Sequence, residues 1–135
     1  MNYWLIKSEP STYSIDHLKA DKQTFWSGVR NYAARNNMQA MKVGDICLFY
    51  HSVVDPGVVG LAKVVKEAYQ DPTTEETAWV VVDVAFMKKF KTPIPLPQIK
   101  QDPKLANMDL IRLSRLSVQS VKKAEYDHIL KLAGE

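Results

Sequence analysis

The stretch ICLFYHSVVDPGVVGLAKVV, Ile46–Val65, decides how the chain is built. Ile46 to Tyr50 is an uninterrupted apolar run, the pattern of a strand covered on both faces, and His51-Ser52 marks its polar end. Asp55-Pro56-Gly57 is a turn sequence: proline presets its φ, glycine accepts unusual backbone angles, and aspartate can bond its own backbone. Val58–Val65 is therefore expected to fold back antiparallel on Ile46–Tyr50. Gly60 within the second run marks a bulge or a close approach of another backbone.

Working outward, Tyr3-Trp4-Leu5-Ile6 reads as a short buried strand ended by Lys7-Ser8-Glu9-Pro10. Ser14 is placed to cap a short helix in which Ile15 and Leu18 face inward and Asp16 sits in the first turn. After a loop at Asp71–Thr74, Trp79–Phe86 reads as a strand with Val80, Val82, Val84 and Phe86 on one apolar face; Trp79, Val81, Asp83 and Ala85 make a mixed opposite face. Thr92–Pro97 carries three prolines and is expected to be an extended connector outside any ladder. Leu105–Leu110 is expected to make a helical turn and Ile111–Val118 a weak final strand. Ser120 is then the expected cap of a last helix with Val121, Ala124, Ile129 and Leu132 inward and Gly134 past its end. Short strands, few small helices and looping connectors point to an α+β fold: one mixed β-barrel of five or six strands, flanked by helices and spanning residues 1–135.

A chain of 135 residues with 46% hydrophobic and 24% charged side chains suits one globular domain. No apolar run approaches the ~20 residues that span a bilayer, so no membrane partner is expected. The N-terminus lacks a basic region followed by an apolar segment, and Cys47 is the single cysteine; both fit a cytoplasmic protein. Net charge is only +3, which by itself announces no nucleic-acid partner. Its distribution is uneven. Lys22–Gly44 holds four bases and no acid, Phe86–Arg115 seven bases and two acids, and Lys66–Asp83 one base and five acids. If the two basic segments meet in space, the fold has a cationic face and an acidic one.

Phe25–Met41, FWSGVRNYAARNNMQAM, is the richest stretch in recognition chemistry. Gly28 breaks the chain after Trp26-Ser27, and Asn31 is placed to cap a helix. On that helix Ala34, Met38 and Met41 form a buried stripe, leaving Tyr32, Arg35, Asn36 and Gln39 on the other side. An aromatic ahead of a helix with a cationic, hydrogen-bonding face is what a base-binding mouth needs. On residue types alone the plainer reading stands ahead: Trp26 as a core side chain, Arg30 and Arg35 as solvated charges.

Other chemistries find little support. His17, His51 and His128 lie in unrelated segments. Cys47 and His51 would be on the order of 13 Å apart along a strand rising ~3.3 Å per residue, too far to share a metal or a proton. SGVRNY lacks the spacing of a phosphate-cradling loop. Neither metal nor cofactor is expected. Lys7-Ser8-Glu9 collects an amine, a hydroxyl and a carboxylate, but strand alternation would turn Ser8 away from the other two.

WLIKSEP (Trp4–Pro10), WSGVRNYAARNNM (Trp26–Met38), GDICLFYHS (Gly44–Ser52), GVVGLAKV (Gly57–Val64) and RLSV (Arg115–Val118) occur in this order. Together they resemble the successive motifs of the EVE domain, a member of the PUA-like superfamily, over Tyr3 to about Ile129. The pattern is similar to stand-alone bacterial EVE proteins and to the thymocyte nuclear protein family. It lacks the basic N-terminal extension of the nuclear members, which favours a bacterial cytoplasmic protein. EVE domains are in turn similar to YTH domains, whose Ile-Lys-Ser strand end and Trp-Cys-Ser motif help build an aromatic pocket for methylated adenine. Ile6-Lys7-Ser8 and Trp26-Ser27 match those two pieces; the other cage aromatics have no clear counterpart.

The resemblance implies a non-catalytic reader of a flipped modified base, modified cytosine such as 5-methylcytosine in DNA ahead of RNA. Trp26 would stack on the base, Ser8 and Ser27 would offer hydrogen bonds, and Lys7 would lie near a phosphate or a base edge. Arg30, Asn31, Tyr32, Arg35 and Asn36 would surround the mouth, with His51, Ser52 and Arg115 closing it. Arg30, Arg35, Lys88, Lys89 and Lys91 would contact phosphates. In this reading truncating Trp26 should cost binding more than stability. Ser120 and Tyr126 stand where the family leads one to expect proline and tryptophan, a matter of packing in the last helix. The alternatives are an ASCH-like hydrolase of modified nucleosides, with Lys7, Ser8 and Glu9 catalytic, and a protein-binding adaptor.

Overall fold

A computed structural model describes residues 1–135. Its centre is the strand read first, β3 (Ile46–His51), in which Cys47, Leu48, Phe49 and Tyr50 are all buried. Cys47 and Phe49 face one apolar cluster and Leu48 and Tyr50 a second. That double covering is why the run has no polar alternation. β1 (Tyr3–Ser8) lies parallel to β3, pairing Tyr3 with Ile46 and Ser8 with His51. β4 (Gly57–Gln70) folds back antiparallel on the other side of β3.

The remaining strands are β2 (Gln23–Phe25), β5 (Val80–Pro95) and β6 (Val118–Val121), giving one six-stranded sheet in the order β2-β5-β4-β3-β1-β6. The β3–β4 register shifts between Phe49 and Tyr50, beside Gly60, and the β4–β5 register shifts repeatedly. Such bulges bend a sheet. A Cβ on Gly60 would stand 2.3 Å from the Lys88 carbonyl oxygen, so the close approach read from the sequence is real. The sheet curls without strictly closing, and α2 (Tyr32–Ala40) touches both β5 and β6 toward its opposite ends. The result is the PUA-like, barrel-like α+β fold.

Helix α1 (Ile15–Asp21) and α2 cover one face; α3 (Leu96–Gln101), α4 (Asp109–Arg112) and α5 (Lys123–Leu132) cover the other. Ser14 caps α1 by accepting the His17 amide at 3.2 Å. Asn31 caps α2 by accepting the Ala34 amide at 3.0 Å. Ala34, Met38 and Met41 form the buried stripe, each with no exposure.

The second half corrects several expectations. Thr92–Pro95 is no free connector: β5 runs through it, pairing Ile94 with Val58 and Pro95 with Gly57. The prolines fit because β2 covers only Asp83–Ala85, leaving this part of β5 an edge that needs no donor on its outer side. Residues 96–101 are helical rather than extended. Ile111 belongs to α4, and the last strand starts only at Val118. Ser120 lies within that strand, pairing with Trp4, and caps nothing. The amide of Lys122 is instead accepted by Glu125 at 2.9 Å. In α5 the buried residues are Glu125, Tyr126 and Ile129; Ala124 is exposed and Val121 belongs to β6.

Candidate nucleic-acid interface

A depression of about 300 Å³ opens where β1 ends and β2 gives way to the Trp26 loop. Lys7 and Ser8 come from β1, Thr12 and Tyr13 from the turn before α1, Thr24 and Phe25 from β2, and Trp26 and Ser27 from the loop. Lys7 and Ser8 both reach the cavity, although strand alternation predicts opposite faces; they occupy the last two positions of β1.

Trp26 forms the apolar wall. The sequence opposes a core tryptophan to a pocket tryptophan, and the structure makes it both. It is 8% exposed, its ring edge-on to Phe49 at 5.5 Å and to Tyr13 at 6.1 Å. Its amide donates to the Val82 carbonyl at 2.8 Å, continuing the β2–β5 ladder by one rung. Truncation will therefore cost stability, which corrects the expectation that the loss would spare the fold.

Two aromatics of the lining, Phe25 and Tyr13, were not among the expected site residues, and Tyr13 is the one that packs on Trp26. It precedes the Ser14 cap, the position from which a hydrophobic staple packs onto a helix, and that was the available signal. Its hydroxyl donates to Asp21 at 2.8 Å. Burial, reinforced by this bond, pushes its pKa to about 12, so the phenol stays neutral across the physiological range.

The Lys7 ammonium donates to the Ser114 carbonyl at 2.7 Å and lies 5.6 Å from the Tyr50 ring centroid. Burial lowers its pKa. The Ser8 hydroxyl has only a long contact, 3.5 Å, to the Glu9 carbonyl.

Behind the loop stands Asp71, fully buried and likewise unforeseen. It accepts from the Thr73 hydroxyl at 2.6 Å, the Thr73 amide at 2.7 Å and Arg30 Nη1 at 3.1 Å, with the Gly28 amide also facing it. Burial works to raise its carboxyl pKa, but these donors more than offset that and hold it below the ordinary value. Gly28 has φ +83, a left-handed backbone conformation that glycine adopts without strain.

The other expected site residues divide into groups. Arg30 lies over Trp79 at 5.6 Å besides pairing with Asp71. Tyr32, 60% exposed, rests on Trp79 at 5.0 Å, and Arg35 covers it at 4.9 Å. Arg35 also donates to the Ala78 carbonyl and to Asn36 Oδ1. These four form a cluster beside the cavity rather than in it. His51 accepts the Ile15 amide at Nε2, 3.1 Å, and Ser52 donates its amide to the Ser8 carbonyl. Both buttress the wall from behind and neither lines it. Asn31 and Arg115 share a second concavity.

Lys88 pairs with Glu135 and Lys89 with Asp16, while Lys91 is exposed. With Arg30 on Asp71 and Lys42 on Glu67, acids of the Lys66–Asp83 segment neutralise bases of the first basic segment. Part of each basic segment is thus neutralised by acids, Arg30 and Lys42 in the first and Lys88, Lys89 and Arg112 in the second. No group of three histidine, cysteine or carboxylate side chains comes together. Cys47 is fully buried, and that burial drives its thiol pKa up.

The EVE domain family matches residues 2–132. The chain belongs to the EVE-domain family. Mouse thymocyte nuclear protein 1 is 44% identical over an alignment covering 97% of this EVE chain and 73% of the mouse protein. A hypothetical protein from Leishmania major superposes with a TM-score of 0.94 at 46% identity, covering 99% of this chain and 95% of that one. The human THYN1 protein, in a crystal structure with DNA containing 5-methylcytosine, superposes with a TM-score of 0.91 at 38% identity, covering 100% and 99%.

Proposed function

We propose that this EVE domain is a non-catalytic reader that takes a modified cytosine, turned out of a DNA strand, into the cavity beside Trp26. The observation that carries the reading is the cavity itself. One wall is an indole braced by Tyr13 and Phe49, and the rim holds Lys7, Ser8 and Ser27 as hydrogen-bonding groups. A flat apolar wall with a polar rim suits a base that stacks on one side and is read at its edge. The human relative solved with 5-methylcytosine DNA supports cytosine and DNA as the first ligand to test. Turning out a base costs a few kcal/mol, stacking returns ~1–3 kcal/mol, and one buried methyl adds about 0.8 kcal/mol. Binding is therefore modest, and discrimination is a small factor.

What supports a non-catalytic role is the lining. It contains no histidine or carboxylate to activate Ser8 or Ser27, and the Lys7 amine is committed to the Ser114 carbonyl. The test is titration with matched oligonucleotides carrying cytosine, 5-methylcytosine, 5-hydroxymethylcytosine or N6-methyladenine, with the same samples assayed for released base or altered nucleoside. Tighter binding of a modified cytosine without product supports the reading. Turnover lost in Lys7→Ala or Glu9→Ala establishes a hydrolase instead.

A further inference from the structure

Beside the Trp26 cavity lies a second concavity of about 400 Å³, lined by Asn31, Ala33, Leu113, Ser114, Arg115 and Leu116. The two are joined through Lys7, which lines the first and donates to the Ser114 carbonyl of the second. The lining chemistry of the second is one-sided. Leu113, Leu116 and Ala33 supply an apolar floor, and no carboxylate is present. Arg115 is exposed and forms no ion pair, unlike Arg30, Lys88, Lys89 and Arg112. Asn31 spends its side-chain oxygen on the Ala34 amide, so what it can offer outward is its amino group. The turn that carries Ser114 and Arg115 is held in shape from beneath. Gln119 Nε2, fully buried, donates to the Leu113 carbonyl at 3.3 Å and the Leu116 carbonyl at 2.9 Å.

We propose that this second concavity is a subsite for the sugar and phosphodiester next to the base held at Trp26, with Arg115 on the phosphate. The inference rests on the base-reading role of the first cavity and assigns Arg115 and Asn31 to the strand rather than to the base. A guanidinium matches two phosphate oxygens at once, and an amide donor and a hydroxyl suit the same anion. The leucines suit the apolar side of a deoxyribose. Because the two concavities share one lysine contact, a base in the first places its own backbone linkage at the second.

The experiment uses single-stranded oligonucleotides with one 5-methylcytosine, in which either the 5′ or the 3′ linkage of that nucleotide is made a neutral methylphosphonate. Each is titrated against the wild-type chain and Arg115→Gln, with inorganic phosphate as a competitor. In the wild type, neutralising one of the two linkages is expected to weaken binding about tenfold, the scale of a charge-assisted hydrogen bond. In Arg115→Gln the same neutralisation should change nothing, and Kd should already be raised about tenfold. Inorganic phosphate at the oligonucleotide's concentration should not compete. The subsite is overturned if neither linkage matters in the wild type, if Arg115→Gln remains as sensitive as the wild type, or if free phosphate competes as well as the strand. The base reading is scored separately, by the ratio of 5-methylcytosine to cytosine affinity. Loss of that preference with the linkage effect intact counts against the Trp26 reading and for the subsite.

Discussion

Arg30 Nη1 lies 3.1 Å from the buried Asp71 carboxylate, across 41 residues of chain, and ties the loop after Trp26 to the start of the β4–β5 loop. The Arg30 side chain is 41% exposed and Asp71 not at all. The contact therefore fixes backbone geometry at the cavity more than it presents charge to solvent.

Asp71→Asn keeps the shape but removes the charge that Arg30 and Thr73 satisfy. It should lower stability by about 1–3 kcal/mol, the cost of leaving buried partners poorly paired, and weaken binding because the Ser27–Arg30 turn loosens. Lys42→Gln is the control: its pair with Glu67 spans 3.8 Å between exposed groups and should be worth ~0–1 kcal/mol. Urea unfolding and oligonucleotide titration of both variants check this. Equal effects would remove the special role of Asp71.

Acid should weaken the fold in two steps. His51 accepts the Ile15 amide at Nε2, which requires that nitrogen to be unprotonated. Burial lowers its pKa, Lys89 adds to that, and Asp16 opposes. A neutral native imidazole contributes fully above the free value of about 6.5, and the contribution is lost as pH falls through the lower folded value. Asp71 and Asp45 are native carboxylates with lowered pKa values; burial of Asp45 is outweighed by donors from Asn2, Trp4 and Lys42. Their contribution is present above about 3.9 and is lost as pH falls through their folded values. Urea midpoints across this range should show both steps, and His51→Gln should remove only the upper one. A flat profile between about pH 7 and 5 would contradict the neutral His51 contact.

Two glycines separate steric from conformational need. Gly60→Ala drives a methyl against the Lys88 carbonyl and Ile15, whereas Gly28 has open space and only φ +83 to satisfy. Gly28→Ala should cost about 1–2 kcal/mol, and Gly60→Ala should cost more by parting β4 from β5. Thermal unfolding of the two orders them, and the reverse order would contradict the close strand approach at Gly60.

The first half of the fold was legible because its signals are local. The Asp55-Pro56-Gly57 turn, the Ser14 and Asn31 caps and the Ala34-Met38-Met41 stripe each depend on a few neighbouring residues. The second half misled where tertiary context overrides local preference. Pro93 and Pro95 join a ladder because their outer edge is free, and Ser120 sits in a strand because Trp4 pairs with it. At the cavity, Lys7, Ser8, Trp26 and Ser27 were found by motif. Tyr13 and Asp71 were missed because they reach Trp26 and Arg30 only through folding. The charge segments could not reveal that Asp71 and Glu67 would meet Arg30 and Lys42.

Trp4 and Trp26 now differ in a measurable way. Trp4 is 5% exposed and its indole N–H donates to Asp45 at 3.0 Å. Trp4→Ala should cost ~3–5 kcal/mol, as for a buried aromatic, with base discrimination unchanged in the folded fraction. Trp26→Ala should cost both stability and discrimination. Paired unfolding and titration check it; retained discrimination in folded Trp26→Ala would contradict the stacking role.

The most direct test of Trp26 as the stacking wall is a fluorescence-anisotropy titration of the wild type and Trp26→Phe with two strands that differ only in one cytosine methyl. Phenylalanine preserves most of the packing on Phe49 and Tyr13 while reducing the stacking face. The account predicts that the wild type binds the methylated strand about fourfold tighter, the value of one buried methyl. It also predicts that Trp26→Phe, still folded, binds it several-fold more weakly. Equal affinity of the wild type for both strands, or a Trp26→Phe variant with undiminished affinity, would contradict it.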